Sequence, residues 1–398
     1  MSLKSFLVNV KNTPVAGPVV RLVTGNQSCD MDSISSAIAY AFFRNKYPGE
    51  ELYRPVLNIP REQLRLRKDV VLFLQAHDVG PADLYFLEDV AVWQKQLPHA
   101  AFDVALVDHC NIQGAAFAAL HEEGRVHVTA IIDHHEDEGV FLDASPRVIY
   151  PAGLCTSLVF QHWNSMGVRA DCAIVNLLLA LLLIDTDNMR QKVQPCDEEA
   201  RAAYRRLLAQ QDACVASKGQ LVVRGEQDNF CDVYRALKAA KKDMAGLLAH
   251  DVLAKDFKLF DLPRNDGCIV RFGFSSVPKP ASWLFSSFTA ADWTAALEMI
   301  QTEHGLDAMV VTTSFHRADT DEHARELCYY PVQPQLADVP HYASLLALDE
   351  RVFRVDSIGD ALGEINAQLP LRVYNMGNTS ASRKQVVPLL REIVRMNF

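Results

Sequence analysis
Four short clusters of acidic and histidine residues stand out in this chain: Asp30-Met31-Asp32, Asp108-His109, Asp133-His134-His135 and Asp185-Thr186-Asp187. The triplet at 133–135 follows directly on the apolar run 126–132. Three strong metal or proton ligands at the end of a buried strand are costly to keep for packing alone. Crowded carboxylates repel one another and need cations to stay ionised. Two divalent metals about 4 Å apart, sharing one carboxylate, meet that need and make a centre suited to phosphoryl transfer. The donors are mostly carboxylates with a few imidazoles, a set that suits Mg2+ or Mn2+ better than a thiolate-rich zinc site does. Each cluster alone has an ordinary explanation. Asp30 and Asp32 would cap a helix, and Asp108 would sit in a turn. His134 and His135 would be one buried and one surface histidine, and Asp185 would end a helix. Four such coincidences in one half of the chain are a poor account of the pattern.

The elements around the clusters read as alternating strands and helices. Residues 19–23, 104–107 and 126–132 have the β-branched character of strands. Residues 33–44 carry apolar positions at helical spacing, with Ser33 as the expected N-cap, and 154–163 and 173–183 read as further helices. This alternation predicts a mainly parallel sheet flanked by helices. In such a sheet, ligands bind beyond the carboxyl ends of the strands. Gly25 to Asp32, Asp108 and Asp133 to His135 all fall there, while Asp185 ends a helix. From about Pro195 the texture changes, and the charged helix 197–211 looks suited to connecting two bodies. A second, smaller α/β region follows, with strands expected at 268–274 and 308–315 and helices at 290–303 and 358–368. The expected division is a metal-binding domain over 1–200, a helical linker over 200–215 and a substrate domain over 215–398.

Composition narrows the class. Hydrophobic residues make up 49% of the 398 residues and charged residues 22%, as expected of a globular protein with sizeable cores. The longest apolar stretch, 173–184, is interrupted by Asn176 and falls short of the roughly 20 residues that span a bilayer. No secretory signal is expected in the first ten residues. Nine cysteines without a C-x-x-C pair point to reduced thiols. A net charge of −10 argues against general nucleic-acid binding. It leaves room for a polyanionic substrate held by cations at one cleft.

Taken in order, Asp30-x-Asp32, Asp108, Asp133-His134-His135 and Asp185-Thr186 resemble the N-terminal motifs of the DHH phosphoesterase superfamily. Ser382-Arg383-Lys384-Gln385 looks like the Ser-Arg-Lys element of the DHH-associated domain found in manganese-type inorganic pyrophosphatases and cytosolic exopolyphosphatases. Asp256-x-Lys258-x-Phe260 looks like the phosphate-binding lysine element of that domain. The stretches 25–33, 59–62 and 66–70 are most similar to the fungal and protozoan cytosolic exopolyphosphatases. The pyrophosphatases carry His where Asn26 stands. The nuclease branch carries a Gly-Gly-Gly-His element, and this chain has no adjacent glycines. The resemblance covers residues 19–390.

The resemblance implies an active site in the cleft between two domains, with two divalent metal ions, Mg2+ or Mn2+ and Co2+ as a third option. Asp30 and Asp108 would bind the first metal. Asp32, Asp108, His134 and Asp185 would bind the second, with Asp108 bridging. His135 would face substrate phosphate. Asp133 would support the histidines from behind, and Asn26 would stand in the same supporting layer. Its amide oxygen is a weaker ligand than imidazole, which lowers the preference for Mn2+ or Co2+. Lys258, Ser382, Arg383 and Lys384 would grip substrate together with His135. Asp108, His134, His135 and Lys384 would carry the catalysis. The activity implied is exopolyphosphatase, release of orthophosphate from the ends of inorganic polyphosphate by attack of activated water. The alternatives are a pyrophosphatase, a short-chain polyphosphatase or a nucleotide phosphodiesterase of the same superfamily. A binding protein that retains the fold without the reaction is disfavoured by the complete acidic set. The expected setting is a cytoplasmic monomer with polyphosphate as its partner, and neither nucleic acid nor membrane.

Overall fold
The β-branched runs of the first half pair side by side in one parallel sheet. In the computed structural model of this chain, residues 2–49, 52–171, 173–210, 230–342, 348–349 and 371–398 are described. Two compact units are formed, Met1–Asp243 and Met244–Phe398. The sheet of the first unit contains β1 (Val19–Thr24), β2 (Arg54–Val56), β3 (Ala101–Val107), β4 (Val126–Asp133) and β5 (Arg147–Ile149), in the order β2-β1-β3-β4-β5. All four pairings are parallel. Thr24 pairs with Leu106, and Leu106 with Ile131. The carboxyl ends of β1, β3 and β4 therefore lie level along one edge. Val104 to Val107, Ile131 and Ile132 are all buried, the near-continuous apolar pattern of strands covered on both faces.

The helices of this unit are α1 (Leu3–Asn12), α2 (Met31–Lys46), α3 (Lys68–Ala76), α4 (Leu87–Gln96), α5 (Ala115–Glu122), α6 (Cys155–Ser165), α7 (Val175–Asp185), α8 (Pro195–Gln210) and α9 (Phe230–Lys242). α2 is buried along its length from Met31 to Phe43 and packs against β1, α6 and α7. Its N-cap is Asp30, whose Oδ1 accepts from the Ser33 N–H at 3.1 Å. The expected cap, Ser33, lies within the first turn, because the carboxylate three residues earlier already holds the free amide. Gly25 is required here, since a Cβ on it would lie 2.6 Å from the Ser33 Cβ. The apolar stretch read as a buried helix is α7, enclosed from Val175 to Leu183. Among the described residues no helix is long and apolar enough to cross a membrane.

α8 is not the connector that its charge suggests. Ala200, Tyr204 and Leu208 are buried in the first unit's core, and α8 packs on α6 and α7. α9 then packs on α3 and α7. The first unit therefore runs to Asp243, beyond the 200–215 segment expected as a linker, and the second begins at Met244. An apolar stripe beneath a charged surface, rather than the charge itself, decided where this helix lies.

The second unit holds α10 (Ala249–Ala254), β6 (Phe257–Pro263), β7 (Ile269–Val277), α11 (Ala281–Ser287), α12 (Ala290–His304), β8 (Ala308–Thr313), β9 (Phe315–His316), β10 (His323–Ala324), β11 (Glu326–Pro331), α13 (Val339–Tyr342), β12 (Leu348–Asp349), β13 (Arg372–Met376) and a final helix, α14 (Arg383–Asn397). Six strands form a mixed sheet ordered β12-β13-β11-β8-β7-β6, in which β7 and β8 are parallel and the other pairs antiparallel. β9 and β10 make a separate small hairpin. Phe272, Phe274, Val310, Tyr329, Val386 and Ile393 are among its core residues. The helix expected at 358–368 lies outside the described residues.

Candidate metal centre
The level strand ends deliver the clusters to one place. Asp108 follows β3 with a positive φ of 61°, a conformation that costs energy in a residue other than glycine. Its Oδ2 accepts from Asn26 Nδ2 at 2.7 Å and from the Ser33 hydroxyl at 2.5 Å. The other oxygen, Oδ1, faces His134 Nε2 at 3.3 Å and His135 Nδ1 at 3.7 Å. Asn26 bears on the cluster through Asp108 rather than through its own oxygen. Its amide nitrogen donates to Asp108, and its oxygen accepts from the Ser28 N–H and hydroxyl at 3.0 and 2.6 Å. Asn26 thus holds the bridging candidate in place and does not turn an oxygen toward the cluster.

Asp32 sits on the first turn of α2 and reaches the start of α6. Its Oδ2 accepts from the Cys155 N–H at 2.8 Å, and its Oδ1 from the Thr156 N–H and hydroxyl at 3.2 and 2.8 Å. It therefore caps a helix that its own N-cap residue, Leu154, does not cap. His134 Nε2 lies 3.9 Å from Asp32 Oδ2. Burial, then the charges of Asp108 and Asp185, push the Asp30 carboxyl up to about 6. Burial and Asp108 likewise hold the Asp32 carboxyl well above the usual carboxylate range, with His134 opposing. Asp185, the last residue of α7, pairs with Lys241 of α9 at 3.2 Å.

Both histidines are held through Nδ1. His134 Nδ1 lies 3.0 Å from the Ala152 carbonyl, which can only accept, so Nδ1 carries a proton and Nε2 is the nitrogen turned to the carboxylates. His135 Nδ1 donates to Asp133 Oδ1 at 2.8 Å. The same Asp133 oxygen accepts the backbone N–H groups of His134 and His135 at 2.7 and 3.2 Å. Burial is the largest influence on the Asp133 carboxyl and works to raise it, but the hydrogen bond and the charge of His135, with His109, together outweigh it and hold the group below the ordinary range.

These atoms fit a divalent cation. His134 Nε2 faces Asp108 Oδ1 and Asp32 Oδ2, a mixed imidazole and carboxylate set of the kind that divalent cations take. Ligand atoms of Asp108, His134 and His135 lie within 4.8 Å of one another. His135, expected at phosphate, is thus also within reach of the same ion. Asp30, Asp32 and Asp185 are brought to the same strand edge, as their mutual influence on the Asp30 and Asp32 carboxyls requires.

Sequence reasoning missed several contributors. Ser33, Thr156 and Lys241 touch the acidic residues directly. Lys238 pairs with Asp187 at 2.5 Å, and Tyr234 also bonds that carboxylate. The available signal was the basic face of α9, which reads as an ordinary solvated surface. Two basic residues of the stretches 59–62 and 66–70 are engaged in the first unit. Arg67 is buried and donates to the Ser28 carbonyl, and Arg61 pairs with Asp89 at 3.0 Å.

The substrate-binding candidates lie in the second unit. Ser382 caps α14, and its hydroxyl and backbone N–H both bond Gln385 Oε1 at 2.9 Å. Arg383 donates to the Ser276 hydroxyl at 2.8 Å and pairs with Asp256 at 2.8 Å. Its guanidinium lies over the Phe274 ring. Lys258 stands on β6, half-buried, and Lys384 is the second residue of α14.

Residues 21–204 match the DHH family N-terminal domain, and residues 235–393 match the DHHA2 domain. The chain is 29% identical to a putative exopolyphosphatase of Schizosaccharomyces pombe, over 99% of this chain and 95% of that protein. It is 27% identical to human exopolyphosphatase PRUNE1, over 95% of this chain and 76% of that protein. A probable manganese-dependent inorganic pyrophosphatase of Listeria welshimeri is 25% identical over 60% of this chain and 66% of its own. In fold, the chain is similar to a putative family II inorganic pyrophosphatase of Methanococcus jannaschii, with a TM-score of 0.58 and 18% identity over 94% of this chain and 99% of that one.

Proposed function
Since this chain belongs to the DHH superfamily, with a DHH domain followed by a DHHA2 domain, we propose that it is a metal-dependent exopolyphosphatase, a hydrolase of terminal phosphoanhydride bonds in inorganic polyphosphate. The observation that carries the reading is the opposed set of His134 Nε2, Asp108 Oδ1 and Asp32 Oδ2, with His134 Nδ1 committed to a carbonyl. Similarity to named exopolyphosphatases over most of the chain supports polyphosphate over diphosphate as substrate. So does asparagine at position 26.

Asp30, Asp32, Asp108, His134 and Asp185 would hold two divalent ions, with Asp108 shared. Bound there, Mg2+ or Mn2+ supplies charge neutralisation and a water of lowered pKa for in-line attack at phosphorus. Asp108 is fixed for sharing by Asn26 and Ser33, which occupy Oδ2 and leave Oδ1 to face the cluster. Asp133 orients the His135 ring through Nδ1, and Nε2, when it carries a proton, would donate to a phosphate oxygen. Lys258, Ser382, Arg383 and Lys384 are the proposed grips on the polyanion, Arg through paired contacts and Lys as a compact charge. A phosphate leaving group needs little acid assistance, so positioning and neutralisation dominate. The cytoplasm, where polyphosphate and reduced thiols coexist, is the proposed setting.

The test is phosphate release from long polyphosphate, triphosphate and diphosphate, each with and without Mg2+ and Mn2+. The expected result is metal-dependent release from long chains, with diphosphate the poorest substrate. Preference for diphosphate would make the protein a pyrophosphatase. No metal-dependent release from any of the three would overturn the enzyme reading.

A further inference from the structure
Asp197 lies on the first turn of α8 and is fully buried. Its Oδ2 accepts two backbone N–H groups, from Gln194 at 2.9 Å and from Gly153 at 2.8 Å. The first contact is an ordinary helix cap, in which a residue of the first turn reaches back three positions. The second crosses 44 residues of sequence and serves no helix end. Oδ1 is buried without a hydrogen-bond partner, so the carboxylate is kept inside at a cost that a surface cap avoids.

Gly153 belongs to a short backbone strap between β5 and α6. The strap and the first turn of α6 that it leads into are tied at three places. The Ala152 carbonyl accepts from His134 Nδ1 at 3.0 Å. Gly153 donates to Asp197. Cys155 and Thr156 donate to Asp32 at 2.8 and 3.2 Å. Two of the three ties run to residues assigned to the metal ions, and Asp197 is the third. The strap is also pressed close. A Cβ on Gly153 would lie 2.7 Å from Asp197 Oδ2, 2.8 Å from the Lys192 carbonyl and 3.1 Å from Thr186 Cγ2. Thr186 directly follows Asp185.

We propose that Asp197 is a positioning residue for the metal centre. Through Gly153 it fixes the Ala152 carbonyl, and that carbonyl sets the tautomer and direction of the His134 ring. The inference rests on the metal reading of the site and adds a residue outside the recognised motifs. A carbonyl displaced by a few tenths of an ångström would release Nδ1, and His134 would lose its commitment to present Nε2. Outer partners of metal-binding histidines govern affinity by about 10–100-fold.

The experiment is direct Mn2+ binding to the full chain without substrate, by electron paramagnetic resonance of the free ion, alongside thermal unfolding. Asp197→Ala should weaken Mn2+ binding roughly 10–100-fold. Asp197→Asn keeps an acceptor oxygen for both N–H groups and should restore binding to within a few-fold of the parent. Gly153→Ala displaces the strap while leaving the carboxylate in place and should reproduce the loss, which also serves if Asp197→Ala does not fold. Parental Mn2+ affinity in Asp197→Ala or Gly153→Ala, with only a lower unfolding temperature, would make Asp197 a helix cap alone and overturn the proposal. So would an asparagine variant as weak as the alanine one. Binding is read without turnover, so these outcomes stand apart from whether polyphosphate is hydrolysed.

Discussion

Replacing Asp30 with asparagine should stabilise the metal-free protein at neutral pH. Burial and the carboxylates of Asp108 and Asp185 raise the Asp30 carboxyl from 3.8 to about 6. In the folded state it therefore keeps its proton over a range where the unfolded chain has lost it. Stability falls as pH rises through that range and the loss is complete above about 6. A displacement from 3.8 to about 6 corresponds to a ceiling of about 3 kcal/mol. Asn is as good an N-cap as Asp, so the contact with the Ser33 N–H that starts α2 survives the change. For a unit of this size, about 3 kcal/mol corresponds to roughly 6–12 °C in unfolding temperature. The assay is thermal unfolding of parent and Asp30→Asn, stripped with chelator, between pH 4.5 and 7.5. The two should converge at the acid end, and the variant should unfold at higher temperature at the neutral end. Added Mn2+ should stabilise the parent increasingly as pH rises and should stabilise the variant much less. A variant less stable than the parent at pH 7, or one stabilised equally by Mn2+, would refute the view that the acidic cluster is strained without cations.

Asn26→His should tighten Mn2+ and Co2+ binding by about tenfold or more, equivalent to about 1.4 kcal/mol, and raise diphosphate hydrolysis relative to polyphosphate; titration with each metal checks it. Asp32→Ala leaves the Cys155 and Thr156 N–H groups and the Thr156 hydroxyl without their acceptor. It should cost roughly 2–4 kcal/mol in denaturant unfolding and abolish metal-dependent phosphate release. Gly25→Ala forces a methyl against Ser33, 2.6 Å from its Cβ. It should cost about 1–3 kcal/mol and weaken metal binding by shifting the start of α2, which unfolding and Mn2+ titration would each report.

Much of this protein was legible because buried parallel strands advertise themselves. The runs at 104–107 and 126–132 fall inside β3 and β4, and their ends place Asp108 and the triplet together. α7 was legible for the same reason, being apolar on every side. α8 was misplaced because its charged residues dominate its composition, while Ala200, Tyr204 and Leu208 bury one face of it. α1 went unread although Leu3, Phe6, Leu7 and Val10 follow helical spacing, since a terminal segment is judged first for targeting signals. The direction of Asn26 was not legible either. An asparagine offers an oxygen and an amide with equal ease, and only the neighbours, Asp108 on one side and Ser28 on the other, choose between them.

By itself, the sequence determined which residues are proposed for the metal chemistry. Ligand types are written in composition and spacing, and the period of a strand fixes where its end must fall. Tertiary structure alone decided how those residues are held. The proton on His134 depends on a carbonyl 18 residues away, the direction of the Asp108 carboxylate on an amide 82 residues away, and the strap beneath them on Asp197. Such contacts follow from the register of strands and the packing of helices, and no local pattern encodes them.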